Sequence, residues 1–221
     1  MIRIFAIFVL LASHSATFGQ PPNKGIAIDK LLLPVSCQKI PLTEKKTVTK
    51  HVEYRTIQID KNTAYRYCLH PNARSDRPFI RIRNTCFYLD SLLQDGLKDI
   101  PETTVPCLME CERVTSGLRS YLIFRILNLA LSSSRPYEKV VIVDNTNTDS
   151  PFVVLNTWET RYKSDRIGLD RKTKALSYIV FDCWGKTYIY TMKDSFFVKR
   201  KECYMSTEDT MGRVFLIKQR G

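Results

Sequence analysis

The chain holds 221 residues, 44% of them hydrophobic, with 34 Lys plus Arg against 22 Asp plus Glu and a formal charge of +12. This length suits one domain that buries a core without help, and no repeat, low-complexity tract or linker composition divides it. Eight glycines in all leave little material for a Gly-rich phosphate cradle, and the basic balance favours anionic partners.

Met1 to Gly19 has the layout of a secretory signal peptide. Arg3 supplies the basic start, Ile4 to Ala12 the apolar stretch, and Thr17-Phe18-Gly19 the small residues before a cut preceding Gln20. An uncleaved anchor would need ~20 apolar residues, and Ser13-His14-Ser15 interrupts this run. The longest later apolar run, Tyr121 to Leu131, is broken by Arg125 and Asn128, so no transmembrane span is expected in the mature chain. Residues 20–221 are therefore expected to form a single secreted, extracellular, β-rich domain, for which nucleic acid is not an expected partner.

In that compartment the seven cysteines, Cys37, Cys68, Cys86, Cys107, Cys111, Cys183 and Cys203, are disulfide candidates, with up to three bridges and one thiol left over. Their spacing does not fix the pairing. Cys107 and Cys111 would seek different partners, because residues four apart on a helix line one face in poor disulfide geometry. No CxxC pair occurs, and only His51 and His70 could join the thiolates in the mature chain, so neither metal nor cofactor is expected.

Pro21 to Leu42, with four prolines around an apolar patch, reads as an extended segment lying over the body. Thr47 to Ile59 alternates as a strand, turns through Asp60-Lys61-Asn62 and continues through Tyr65, Tyr67 and Leu69; Phe79 to Tyr88 returns as a further strand. Asp90 to Leu97 reads as a short helix capped by Asp90. Ser116 to Ser132 reads as a longer one with Ser116 as N-cap and Leu118, Leu122, Ile126 and Leu129 on one stripe; its nearly continuous apolar run leaves a buried strand as the alternative.

From Glu138 onward the pattern is an antiparallel meander: Val140 to Val143, Phe152 to Trp158, Ile167 to Asp170, a hairpin over Ala175 to Lys193, then Phe196 to Lys199 and Arg213 to Lys218. The hairpin is the clearest element. With Trp184 and Gly185 as loop residues, Phe181 would face Tyr188 and Ile179 would face Tyr190, with Val180 and Ile189 on the opposite side. Both faces are apolar, which a barrel or sandwich wall covered on both sides requires. The fold class is mainly β, an antiparallel meander forming a barrel or sandwich, with one or two helices in the middle of the chain.

Catalytic constellations are missing: there is no G-x-S-x-G, H-E-x-x-H or Walker loop, and the carboxylate pairs Asp165 and Asp170, or Glu110 and Glu112, read as solvated. No catalytic residue is assigned, and a binding protein is expected instead of an enzyme. Two binding readings remain. In the first, an antiparallel barrel closes around a small hydrophobic molecule, with Tyr188 and Tyr190, or Tyr178 on the opposite face, as cavity candidates. In the second, a secreted factor, inhibitor or effector meets an acidic protein, polysaccharide or lipid surface through a basic face: Arg74, Arg77, Arg81 and Arg83, or Lys199, Arg200 and Lys201 with Arg171, Lys172 and Lys174.

In outline, the secretion signal, the length and the β meander with one helix make the first reading similar to the lipocalins. The family's early Gly-x-Trp is absent, the only tryptophans being Trp158 and Trp184. Thr160-Arg161-Tyr162 departs from its Thr-Asp-Tyr, and the helix falls mid-chain instead of after the barrel. No family residues are carried over; the likeness implies only a carrier-like barrel.

Overall fold

A computed structural model describes residues 25–49, 52–68, 77–89, 105–129, 137–160, 166–181, 186–208 and 211–219. The signal segment, the Asp90 to Leu97 helix candidate and the tip of the Ala175 to Lys193 hairpin lie outside them. The chain opens with β1 (Ile26–Ala27), one turn of helix α1 (Ile28–Leu31), β2 (Leu32–Leu33) and β3 (Ser36–Lys39). A five-stranded sheet follows in the order β4 (Thr43–Thr49), β5 (Val52–Asp60), β6 (Thr63–Cys68), β7 (Phe79–Ile82) and β8 (Thr85–Tyr88). The single strands read at Thr47 to Ile59 and at Phe79 to Tyr88 are thus each two strands. The turn-forming pair Arg83-Asn84 divides the second, with Arg83 in left-handed backbone at φ 50°.

A second five-stranded sheet contains β9 (Val105–Ser116), β10 (Arg119–Leu129), β11 (Tyr137–Asp144) and β12 (Phe152–Thr160), with β3 at the edge beside β9. The helix expected over Ser116 to Ser132 is therefore β10. Gly117, at φ +60°, and Leu118 form the two-residue turn into it, so Ser116 caps nothing and Leu118 belongs to no helical stripe. The physical reason is two-sided burial. Leu122, Phe124 and Ile126 pack on Ile57, Tyr65, Ile80 and Ile82 of the first sheet. Tyr121 and Ile123 pack the other way, on Ile167, Leu176, Tyr178 and Val180. A strand covered on both faces loses its polar alternation and imitates a helix in sequence.

The third sheet, formed by β13 (Ile167–Asp170), β14 (Leu176–Phe181), β15 (Lys186–Lys193), β16 (Phe196–Glu208) and β17 (Val214–Lys218), has β1 on its β17 edge and β2 on its β13 edge. In a flat sheet β1 and β2 would lie ~29 Å apart at ~4.8 Å per strand, whereas the intervening helical turn covers only ~8 Å. The sheet is accordingly curled into a half-barrel, with Ile26 to Leu33 strapped across its opening. Ile28 and Leu32 drop from the strap into a core with Ile179, Phe181, Ile189, Tyr204, Val214 and Leu216. The extended segment expected at Pro21 to Leu42 thus lies over the body across its described residues.

The hairpin forms as expected, with both faces of β14 buried, but its register is one residue shorter. Phe181 faces Thr187, Val180 faces Tyr188, and Ile179 faces Ile189. Ile179 therefore points into the half-barrel and Val180 toward the middle sheet.

Gly168 is where the strap approaches β13 most closely. A Cβ there would lie 2.5 Å from the Leu33 carbonyl oxygen and 2.9 Å from Leu32 Cβ, so the backbone of β2 would have to move. Gly168→Ala is expected to lower stability by about 1–3 kcal/mol, measured by urea denaturation; an unchanged midpoint would show that the strap is not seated there.

Candidate binding end and the buried ion network

The three cavity candidates do not line the interior of the half-barrel. Tyr178 and Tyr190 are direct cross-strand partners, and with Tyr188 they occupy the convex face that packs on the middle sheet. The one-residue change of register places all three on one side. Tyr188 lies beneath the Lys199 ammonium, 3.5 Å from its ring centroid, and Tyr178 is fully buried with its hydroxyl donating to Glu159 Oε1 at 2.9 Å.

That hydroxyl enters a buried ion network. Glu138 and Glu159 are direct partners across β11 and β12. Arg166 Nη1 bonds Glu159 Oε1 and stands 3.5 Å from Glu138 Oε2. Arg125 contributes charge from β10, while its Nη1 donates to Glu112 Oε2 at 2.6 Å and lies 3.8 Å from Glu110 Oε2. Charges removed from water are tolerated only when paired and hydrogen-bonded. Glu159 is paired on one oxygen alone, since Oε2 meets no hydrogen-bond partner. Burial pushes its carboxyl up to about 7 against the pull of Arg166 and Tyr178, and burial also pushes the Tyr178 phenol up.

Conventional reactive groups are not assembled here. Burial pushes the Cys111 thiol up to about 12, which suppresses the thiolate. Glu110 and Glu112 are held by Arg125 instead of being solvated. Asp170, although burial opposes its ionisation, is kept at about 2 by hydrogen bonds from Arg200 and Thr173; Asp165, His51 and His70 lie outside the described residues. No disulfide joins any two of Cys37, Cys68, Cys86, Cys111 and Cys203. Cys107 and Cys111 sit on a strand, where four residues span ~13 Å, so separation along β9, not a helical face, keeps them apart. Among the described residues no group of three or more His, Cys, Asp or Glu side chains could hold a metal ion.

The basic candidates divide. Arg74 lies outside the described residues. Arg77 is half-buried before β7, Arg81 is exposed in mid-strand, and Arg83 is drawn to Asp149, so these residues do not make one patch. The second group is brought together. Arg200 turns inward, donating to Asp170 Oδ2 at 2.6 Å and Thr191 Oγ1 at 2.8 Å. This ties β16, on which Lys199 and Lys201 flank Arg200, to the β13–β14 turn carrying Arg171, Lys172 and Lys174. Arg171 also clamps the strap, its Nε and Nη2 reaching the Asp29 carbonyl at 3.1 and 2.9 Å.

That turn belongs to one end of the molecule, where hydrogen bonds stitch loops from all three sheets. Arg83 N donates to Asn62 O at 2.7 Å, Asn145 N to Ser120 O at 2.8 Å, and Arg119 Nη1 to Asp194 O at 3.2 Å. All three left-handed non-glycine residues described, Arg83, Lys174 and Asp194, lie in these turns. Such backbone persists only where its surroundings hold it. Here Leu118 is 99% exposed, Phe196 56% and Phe152 36%, the two rings meeting edge-on at 5.9 Å.

The sequence pattern marks the basic group beside the loop end but neither the apolar tip nor the ion network. Leu118 was absorbed into a helical stripe, although Gly117 before it was the available turn signal. Arg125 served only to interrupt an apolar run, whereas a charge inside such a run marks a buried partner. Glu138 and Glu159 carried no local signal, because their pairing exists only across β11 and β12.

Fold and site together define an antiparallel three-sheet protein with a closed ionic interior and a cationic, apolar-tipped loop end. The chain matches no protein-family model, no curated protein and no solved structure.

The network makes stability depend on pH with a defined sign. Folded Glu159 holds its proton more tightly than the unfolded chain, so its stabilising contribution is complete below about pH 4.5 and is lost as pH rises to about 7. Asp170 acts in the opposite sense, its contribution being present above pH 3.8 and lost as pH falls to about 2. Glu159→Gln is expected to remove a slope of up to ~1.4 kcal/mol per pH unit from the upper window and leave the acid limb in place, as read by denaturant titration across pH. The same slope in the variant would mean that Glu159 stays ionised throughout.

Proposed function

We propose that this is a secreted binding protein, not an enzyme, whose loop end and adjoining basic strand dock an anionic extracellular partner. The observation that carries the reading is the Asp170–Arg200 bond, which ties β16, with its exposed Lys199 and Lys201, to the β13–β14 turn that carries exposed Lys172 and Lys174. Loops positioned by a rigid scaffold are where binding residues concentrate, and aromatic and Arg side chains dominate the energetic centres of interfaces. The carrier reading has the curled sheet in its favour, but a small apolar ligand there would compete for space with Ile28, Leu32, Ile179, Phe181 and the rest of that core.

The test is adhesion to immobilised sulfated polysaccharide, a polyacidic protein and acidic vesicles at low and physiological salt. Binding to at least one is expected to weaken steeply with salt, because exposed charges are screened within ~8 Å at 0.15 M, and to fall with the combined variant Lys172→Glu, Lys174→Glu, Lys199→Glu and Lys201→Glu. Salt-insensitive, saturable uptake of a fluorescent fatty-acid analogue, with no effect of the charge reversals, would return the function to the carrier.

A further inference from the structure

We infer that the anionic partner is a lipid surface, which Leu118, Phe152 and Phe196 enter while Arg119 and Lys193 meet the headgroups; the inference rests on the docking function proposed above. Leu118 stands at the tip of a two-residue turn, 99% exposed and without lateral support. A folded partner would have to bring a deep pocket to such a convex tip, whereas a lipid layer deforms around it. Arg119 Nη1 reaches the Asp194 carbonyl at 3.2 Å, binding the Leu118 turn to the turn that precedes Phe196. The Phe152 ring, 5.9 Å from Phe196, extends the same apolar tip.

Two of the three apolar anchors have a cation beside them. Arg119 follows Leu118 in the chain, and Lys193 is the direct cross-strand partner of Phe196. Long cationic side chains can lie along an apolar surface and hold their charges at headgroup level. The nearby carboxylates oppose this only in part: Asp149 is taken up by Arg83, Asp144, whose charge acts on Arg119, is buried, and Asp194 follows Lys193 in the chain. Apolar insertion combined with attraction to anionic lipid is the pairing that holds peripheral proteins at an interface.

The experiment is sedimentation of the full chain with phosphatidylcholine vesicles, with and without phosphatidylserine, beside the sulfated polysaccharide and polyacidic protein as controls. Binding should require phosphatidylserine and weaken with salt. Leu118→Asp and Phe196→Asp should each lower vesicle partition by about tenfold or more without altering melting or control binding. In Leu118→Trp, the fluorescence added by the new indole should shift to the blue and be quenched by brominated acyl chains. Vesicle binding that persists in both Asp variants, or an added indole emission that stays water-like, would overturn the insertion. Binding to the controls with none to vesicles would overturn the lipid assignment and leave the docking function standing. Failure on every anionic surface would remove both.

Discussion

The structure depends on burying both faces of its middle sheet. β10 and β11 send alternate side chains into two separate cores, Leu122, Phe124, Val141 and Val143 toward one neighbour and Tyr121, Ile123, Val140 and Ile142 toward the other. The outer sheets gain from it in turn, since each buries its apolar face against the middle layer. A strand in this position has no wet side on which to carry charge. Arg125, Glu138 and Glu159 are nevertheless there, and they are admissible because Arg166 meets Glu138 and Glu159 across the gap between sheets while Arg125 pairs with Glu112 of the neighbouring strand. Such networks contribute less to net stability than apolar packing of equal volume. They do discriminate between registers, because a one-residue slip would drive each charge into hydrocarbon.

The same rigidity is seen both in the gap between the sheets and at the loop end. The ionic network and Tyr178 fill the gap between the middle and third sheets; at the loop end, the Arg119 side chain bonds the Asp194 carbonyl and Arg83 pairs with Asp149, so turns of all three sheets are tied together. Fixed loops hold their exposed side chains in place before any partner arrives, so less ordering is required on binding. Lys199 is an instance: its ammonium lies over the Tyr188 ring, yet the residue remains exposed.

Much of the fold was legible because β-branched and aromatic alternation, turn residues and short spacings are local properties. Ile167–Asp170, the two arms of the long hairpin and the turn at Lys61-Asn62 were readable for that reason. The β10 strand was misread because two-sided burial erased the period of two, while Leu118, Leu122, Ile126 and Leu129 happened to fit a helix. The hairpin register turned on where its loop begins, and the positions of all three tyrosines depended on that one residue. The site was less legible still. The grouping of Lys199 to Lys201 with Arg171 to Lys174 could be suspected from charge density, but the bond that unites them spans two strands of the curled sheet, and the exposed apolar tip is visible only when three turns are seen together.

The strap has a consequence for how the molecule comes into being. Ile26 pairs with Leu216, so a contact that closes the half-barrel joins nearly the two extremes of the described chain. Contacts so distant in sequence require loop-closure entropy to be overcome first, and they slow folding. During synthesis the segment Ile26 to Leu33 must wait, half-apolar, until the last strand has been made. Until the strap docks, β13 and then β17 present unpaired edges that can recruit strands from other chains. Assembly of this protein is therefore most vulnerable at its final step, and its own beginning acts as the clasp that ends the exposure.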